Sequence, residues 1–346
     1  MTAASDGPGP RQRGEGSGHG KAILIGEHHV MDGAPALALG LPAFQTRVLL
    51  TRTGAPSDQA VFVAIVHSSG ESPHSDGESP VSAAAIEDAR RMLSRAATLA
   101  GIRGVLAAHL QSSVPVGRGL GSSAALAVAA VRAAHALAGR ELADGTLLAQ
   151  ARELEDIVHG RSSGLDPAAA CRADAVLYQA GAVVERLTPS PHLAAARWVL
   201  FDLGSSLPTR EAIAIAQAHR VTLGATALAL LTGATTAAAH DAAGALASGD
   251  LERLASALGQ AGAGLEPLGV VTTAMRHALD LALGAGALAA KQTGAGCGGM
   301  LLALAADDEA AARVTDAIRL HTVARWTLPV VSAMLPAASA PGIHSL

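Results

Sequence analysis

Residues 115–125 read PVGRGLGSSAA, the first of four segments whose residue types and spacing could do chemistry. Gln111–Val116 reads as extended chain and Ala124–Ala138 as helix, so Pro115, Gly117, Gly119 and Gly121 must turn the backbone tightly between them. Bare N–H groups at a helix start, beside the positive end of its dipole, suit an anion such as a phosphate. Glycine brings no side chain to block that anion. Ser122 and Ser123 add hydroxyls at the first turn, where one can cap the helix and the other can reach a phosphate or a metal ion. The same residues also fit an ordinary strand–turn–helix connection.

The second segment is HGKAILIGEHHV, with Lys21 at the start of an apolar run and Gly26-Glu27-His28 at its end. Polar groups at the end of a strand commonly meet ligands, whereas a lone lysine is commonly a solvated charge. Glu27, His28 and His29 raise a zinc site, but adjacent histidines rarely face one ion and the chain has no HExxH. The third is ELEDIVHGRSSGLDP, residues 153–167. Glu155 and His159 are four apart and share a helix face. Pro167 is expected to hold Asp166 out of helical dihedrals, which suits a general base, a metal contact or a plain turn residue. The fourth is KQTGAGCGGM, residues 291–300. Its Gly294, Gly296 and Gly299 match GxGxxG literally. The dinucleotide reading fails because MLLAL after it reads as a strand, not a helix. It is expected to be a strand-to-strand turn close to a ligand or another backbone.

Positioning these segments needs strands interleaved with helices. Strands are expected at Ala22–Ile25, Ala36–Leu41, Thr46–Thr51, Val61–Val66 and Gly104–Ser112, with a loop at His67–Ser82. Helices are expected over Val81–Gly101, Ser122–Leu137 and Asp144–His159, and a hairpin around Gly181. A boundary falls at Leu187–Ala194, where Pro189 and Pro191 cluster. Beyond it come a strand at Trp198–Leu203, helices from Thr209 to Leu283 broken at glycines, short strands at Leu288–Lys291 and Met300–Ala305, a helix at Asp307–Leu320 and a strand at Val323–Leu328. The class is α/β or α+β in two domains: a tail at 1–18, then 19–190 and 191–346.

The 346 residues suffice for two cores, and only 2% are aromatic, so Ala, Leu and Val must build them. A net charge of −4 argues against a nucleic-acid partner. Two cysteines, Cys171 and Cys297, make no disulfide framework, and a reducing, cytoplasmic setting fits. Met1–Gly18 has no apolar core, which argues against a secretory signal and for a disordered tail. Val221–Ala239 is uncharged and long enough to raise a membrane span, yet its Thr and Gly content favours a buried helix and no membrane partner.

Taken in order, GKAILIGEHHVMDGAPALA, PVGRGLGSSAA, HGRSSGLDPAA and KQTGAGCGGM resemble the motifs of the GHMP kinase superfamily, and span the chain from Lys21 to Met300. The resemblance implies an α+β fold of two lobes. The N-terminal one is like ribosomal protein S5 domain 2 and the C-terminal one is ferredoxin-like, with ATP and an alcohol acceptor in the cleft. It implies Asp166 as catalytic base and Lys21 as its partner at the acceptor hydroxyl. Ser123 and Glu155 match magnesium ligands, and Pro115, Gly117, Gly119, Leu120, Gly121, Ser122, Ser123 and Ala124 the ATP phosphate loop. Glu27, His28, Gly294, Ala295 and, more loosely, Thr209 match acceptor-side positions. The set is nearest to the members that phosphorylate the 5-hydroxyl of mevalonate. A kinase of phosphomevalonate and a non-catalytic ATP sensor are the alternatives, and monomer and homodimer both stay open. His29, Met31, Asp32, Arg161 and Ser162 depart from the usual motifs near the expected acceptor site.

Overall fold

The computed structural model describes residues 11–54, 60–69 and 82–331. Its first sheet holds β1 (Arg13–Ile25), β2 (Ala36–Arg52), β3 (Ala60–Ser69), β4 (Gly104–Ser112), β5 (Ala175–Gln179) and β6 (Ala182–Leu187). These run in the order β3-β4-β2-β5-β6, with β1 also paired to β2. Helices α1 (Ala83–Leu99), α2 (Ser122–Ala138), α3 (Asp144–His159) and the short α4 (Leu165–Ala170) accompany it. The second sheet is β10-β7-β9-β8, formed by β7 (Arg197–Ser206), β8 (Ala289–Thr293), β9 (Gly298–Ala305) and β10 (Ala324–Pro329). Between β7 and β8 run α5 (Thr209–Ser248), α6 (Leu251–Ala263) and α7 (Thr273–Gly284), and α8 (Asp308–Ile318) precedes β10. This wholly antiparallel order is the ferredoxin-like one, and the chain is an α+β protein of two sheets.

The strand expected at Ala22–Ile25 begins much earlier, at Arg13, so 13–18 are not tail; residues 1–10 lie outside the described residues. The physical reason is close packing. Gly14, Gly16 and Gly18 alternate along β1 and face α2, where an added Cβ would lie 2.2–2.3 Å from backbone atoms of Leu137, Ala129 and Ala125. Glycine on one side and alanine on the other let a helix sit directly on a strand. The strands expected at Ala36–Leu41 and Thr46–Thr51 are one strand with a register shift opposite His19 and Gly20, where exposed Pro42 needs no ladder bond. Of the loop expected at His67–Ser82, residues 67–69 belong to β3 and 70–81 lie outside the described residues.

A shared core joins the sheets: Leu24, Leu37 and Phe44 meet Trp198, Leu200 and Trp326, with Phe44 edge-on to Trp326 at 5.3 Å. α5 corrects the expectation of a buried helix at Val221–Ala239. Ala212 and Ala216 are buried at one end and Ala238–Leu246 largely at the other. The stretch between is mostly exposed, Val221 at 85% and Leu230 at 72%. By length and composition alone α5 could cross a membrane, but Gly224, at φ 76 and ψ 168, interrupts its helical geometry.

Candidate active site

The glycine loop leaves β4 and ends at Gly121, whose φ of 75 caps α2. Among the described residues no side chain caps this helix, so its first-turn N–H groups are left without a capping acceptor. Lys21 is woven into the same place. Its backbone N–H donates to Leu120 O at 2.9 Å, and its stem lies over Gly121, where a Cβ would fall 2.6 Å from Lys21 Cγ. The side chain is buried, and its Nζ stands 3.0 Å from Asp166 Oδ2. Leu120 and Ala124 send their side chains into the core, so only their backbone can serve a ligand.

Asp166 lies inside α4, in its first turn, which corrects the expectation that Pro167 would exclude it from helix. A first-turn proline loses no hydrogen bond, because that N–H has no helical partner. The turn before it is braced three ways. Tyr178 Oη donates to Ser163 O at 2.7 Å, Arg152 Nε to Ser162 O at 3.1 Å, and Ser162 N–H to Asp156 Oδ1 at 2.6 Å. Asp166 itself is a third exposed and so opens on the cleft.

Glu155 is buried beside this pair, and its Oε1 has no partner among the described residues. Burial, then the neighbouring Asp166 charge, push its pKa up to about 8. Ser123 Oγ hydrogen-bonds His159 Nε2 at 3.1 Å, and His159 Nε2 is 3.8 Å from Glu155 Oε2. A hydroxyl and an under-bonded carboxylate side by side are the hard oxygen donors that a magnesium ion takes. Among the described residues no three His, Cys, Asp or Glu gather as a metal set.

On the acceptor side, Glu27 does not open to the cleft. It is buried and forms an ion pair with Lys291, which also donates to Gln292 O at 2.7 Å. Burial raises the carboxyl and lowers the amine, while their mutual attraction opposes both shifts. This pair ties β8 to the segment after β1. His28 Nε2 meets Ala295 O at 2.9 Å, and burial lowers its pKa. The 291–300 segment is the tight β8–β9 turn expected from sequence, and Gly294 there faces Gly119 of the glycine loop. Thr209 starts α5 two residues after Leu207, whose N–H donates to Cys297 O at 3.4 Å.

Lys291, Arg118 and Arg220 carried no expected role, and His159 was expected only to share a helix face with Glu155. Arg118, on the crown of the glycine loop, reaches Asp202 and Gly204 O in the other lobe. His159 had a legible signal in its spacing from Glu155. The others are lone charges whose partners lie 84 to 264 residues away, and no local pattern reveals them.

Fold and site together define a two-lobed small-molecule kinase with a glycine phosphate loop. The chain belongs to the GHMP kinase family: residues 83–173 match the GHMP kinases N terminal domain and 242–323 the GHMP kinases C terminal domain. Curated relatives of this chain include mevalonate kinases. That of Pyrococcus furiosus is 31% identical over 313 residues, covering 87% of this chain and 91% of the relative. That of Thermococcus gammatolerans is 30% identical, covering 84% and 88%. Among solved structures, the L. major mevalonate kinase in complex with R-mevalonate superposes with a TM-score of 0.75 at 23% identity, over 94% of this chain and 99% of that one. The mevalonate kinase from Staphylococcus aureus MRSA252 gives 0.67 at 27%, over 93% and 100%.

Proposed function

We propose that this protein transfers the terminal phosphoryl group of ATP to the 5-hydroxyl of mevalonate, giving 5-phosphomevalonate and ADP. The observation that carries the reading is the 3.0 Å pair of Lys21 and Asp166 set against the glycine loop. Phosphoryl transfer needs alignment and charge neutralisation more than covalent help. The loop amides hold the phosphates, and the alcohol lies between the ammonium and the carboxylate. The alcohol oxygen forms the new P–O bond as the bond between the terminal phosphorus and its bridging oxygen breaks. Asp166 takes the hydroxyl proton, and Lys21 stabilises the negative charge gathering on the oxygen. Ser123 and Glu155 would hold magnesium, which when bound neutralises phosphate charge and leaves Glu155 ionised. Gly294 and Ala295 close the acceptor side with His28 and, at its margin, Thr209. A cytoplasmic setting belongs to the same reading, supported by free, buried Cys171 and Cys297.

ADP release should be followed with Mg-ATP and each of mevalonate, phosphomevalonate, galactose and homoserine. Turnover with mevalonate alone is expected. Turnover confined to another acceptor would overturn the assignment of the substrate.

A further inference from the structure

His28 occupies a backbone conformation that its side chain does not favour, φ 64 and ψ −40. Among the described residues only Ala180 and Cys297 share a positive φ without being glycine, and both sit in turns between paired strands. Such an outlier persists only where its surroundings over-determine it, and it points to a functional constraint. Two contacts do this at His28, and both come from the other lobe. The imidazole is held by Ala295 O at 2.9 Å. The main-chain carbonyl accepts from Arg220 Nη2 at 2.9 Å. Arg220 Nη1 lies 2.6 Å from the Asp32 carboxylate, at the far end of the one-turn helix His29–Asp32, and its side chain is only 12% exposed. One planar guanidinium therefore spans both ends of the His28–Asp32 segment, a fork that lysine cannot reproduce.

We infer that Arg220 is a positioning residue for the alcohol acceptor: from α5 it clamps His28–Asp32 in the strained form that presents His28 to the cleft. Asp32 orients the guanidinium. The inference rests on the acceptor lying against His28, as read above. ATP, at the glycine loop, does not touch this clamp, so its affinity should be insensitive to Arg220.

The test compares wild type with Arg220→Met, Arg220→Lys and Asp32→Asn, by steady-state kinetics with acceptor and ATP varied separately and by amide hydrogen exchange. Arg220→Met should raise the KM for the acceptor at least tenfold and leave that for ATP within about twofold. Arg220→Lys should fall between, because it keeps a charge but loses the fork. Arg220→Met should add little in an Asp32→Asn background. Exchange over 28–32 should quicken at least tenfold in Arg220→Met, with 115–125 unchanged. Equal changes in both KM values, or unchanged exchange over 28–32, would overturn the clamp. The exchange arm is read whether or not mevalonate is the acceptor. A wild type that turns over a different alcohol therefore refutes the substrate assignment and still tests Arg220, on that alcohol's KM.

Discussion

Arg118 Nε lies 3.1 Å from Asp202 Oδ2, and the same guanidinium donates to Gly204 O at 2.5 Å. The crown of the glycine loop is thereby fastened to the second sheet. Asp202 is buried, and its carboxylate is held by this partner and by the Gly204 N–H, 2.8 Å away. Arg118→Met should lower unfolding free energy by about 1–3 kcal/mol, because it leaves a buried carboxylate poorly compensated. It should also raise the KM for ATP several-fold, with a smaller effect on the acceptor. Urea melts and steady-state kinetics read the two effects separately.

Gly121 and Gly117 both hold positive φ, at 75 and 71, but their surroundings differ. A Cβ at Gly117 meets nothing within 4 Å, whereas one at Gly121 drives into the Lys21 stem. Gly117→Ala should cost only the backbone strain, about 1 kcal/mol. Gly121→Ala should move Lys21 off Asp166 and lower kcat on the order of a hundredfold, since misplacement of about 1 Å costs that much. Comparable kcat values for the two variants would count against Lys21 acting on the reacting oxygen.

His29 supplies an acid-sensitive contribution to stability. Its ring is buried, neither nitrogen has a hydrogen-bond partner among the described residues, and burial lowers its pKa to about 4. The unfolded chain takes up this proton near pH 6.5 and the folded chain only near 4, so stability falls as pH drops through that window. The full effect is roughly 3 kcal/mol. His29→Leu should therefore flatten the decline in melting temperature between pH 6.5 and 4, while an unchanged slope would assign it to other groups.

Much of the site was legible because its chemistry is local. Gly-rich turns beside an apolar helix, a carboxylate before a proline and a lysine ahead of an apolar strand are written in consecutive residues. The beginning of β1 was misread because GEGSGHG has the composition of a disordered tail. Its legible signal was period: glycine at every second position is the mark of a strand face under a close neighbour. Val221–Ala239 misled in the opposite sense, since an uncharged helix need not be buried where it only bridges two packed ends. Glu27 was placed on the acceptor side from its position at a strand's end and from the family resemblance. Its partner, Lys291, lies 264 residues on and is brought to it only when the second sheet meets the first. Arg220 and Asp32 were hidden for the same reason, 188 residues apart.

In the proposed reaction Asp166 accepts the proton of an alcohol aligned with the terminal phosphate of ATP. Asp166→Asn keeps the shape and removes the base, so turnover with mevalonate and Mg-ATP, measured beside nucleotide affinity, tests it most directly. The expected result is kcat lowered by about 10²–10⁴ with ATP affinity within about threefold of wild type. A variant that keeps kcat within a few-fold of wild type would contradict it.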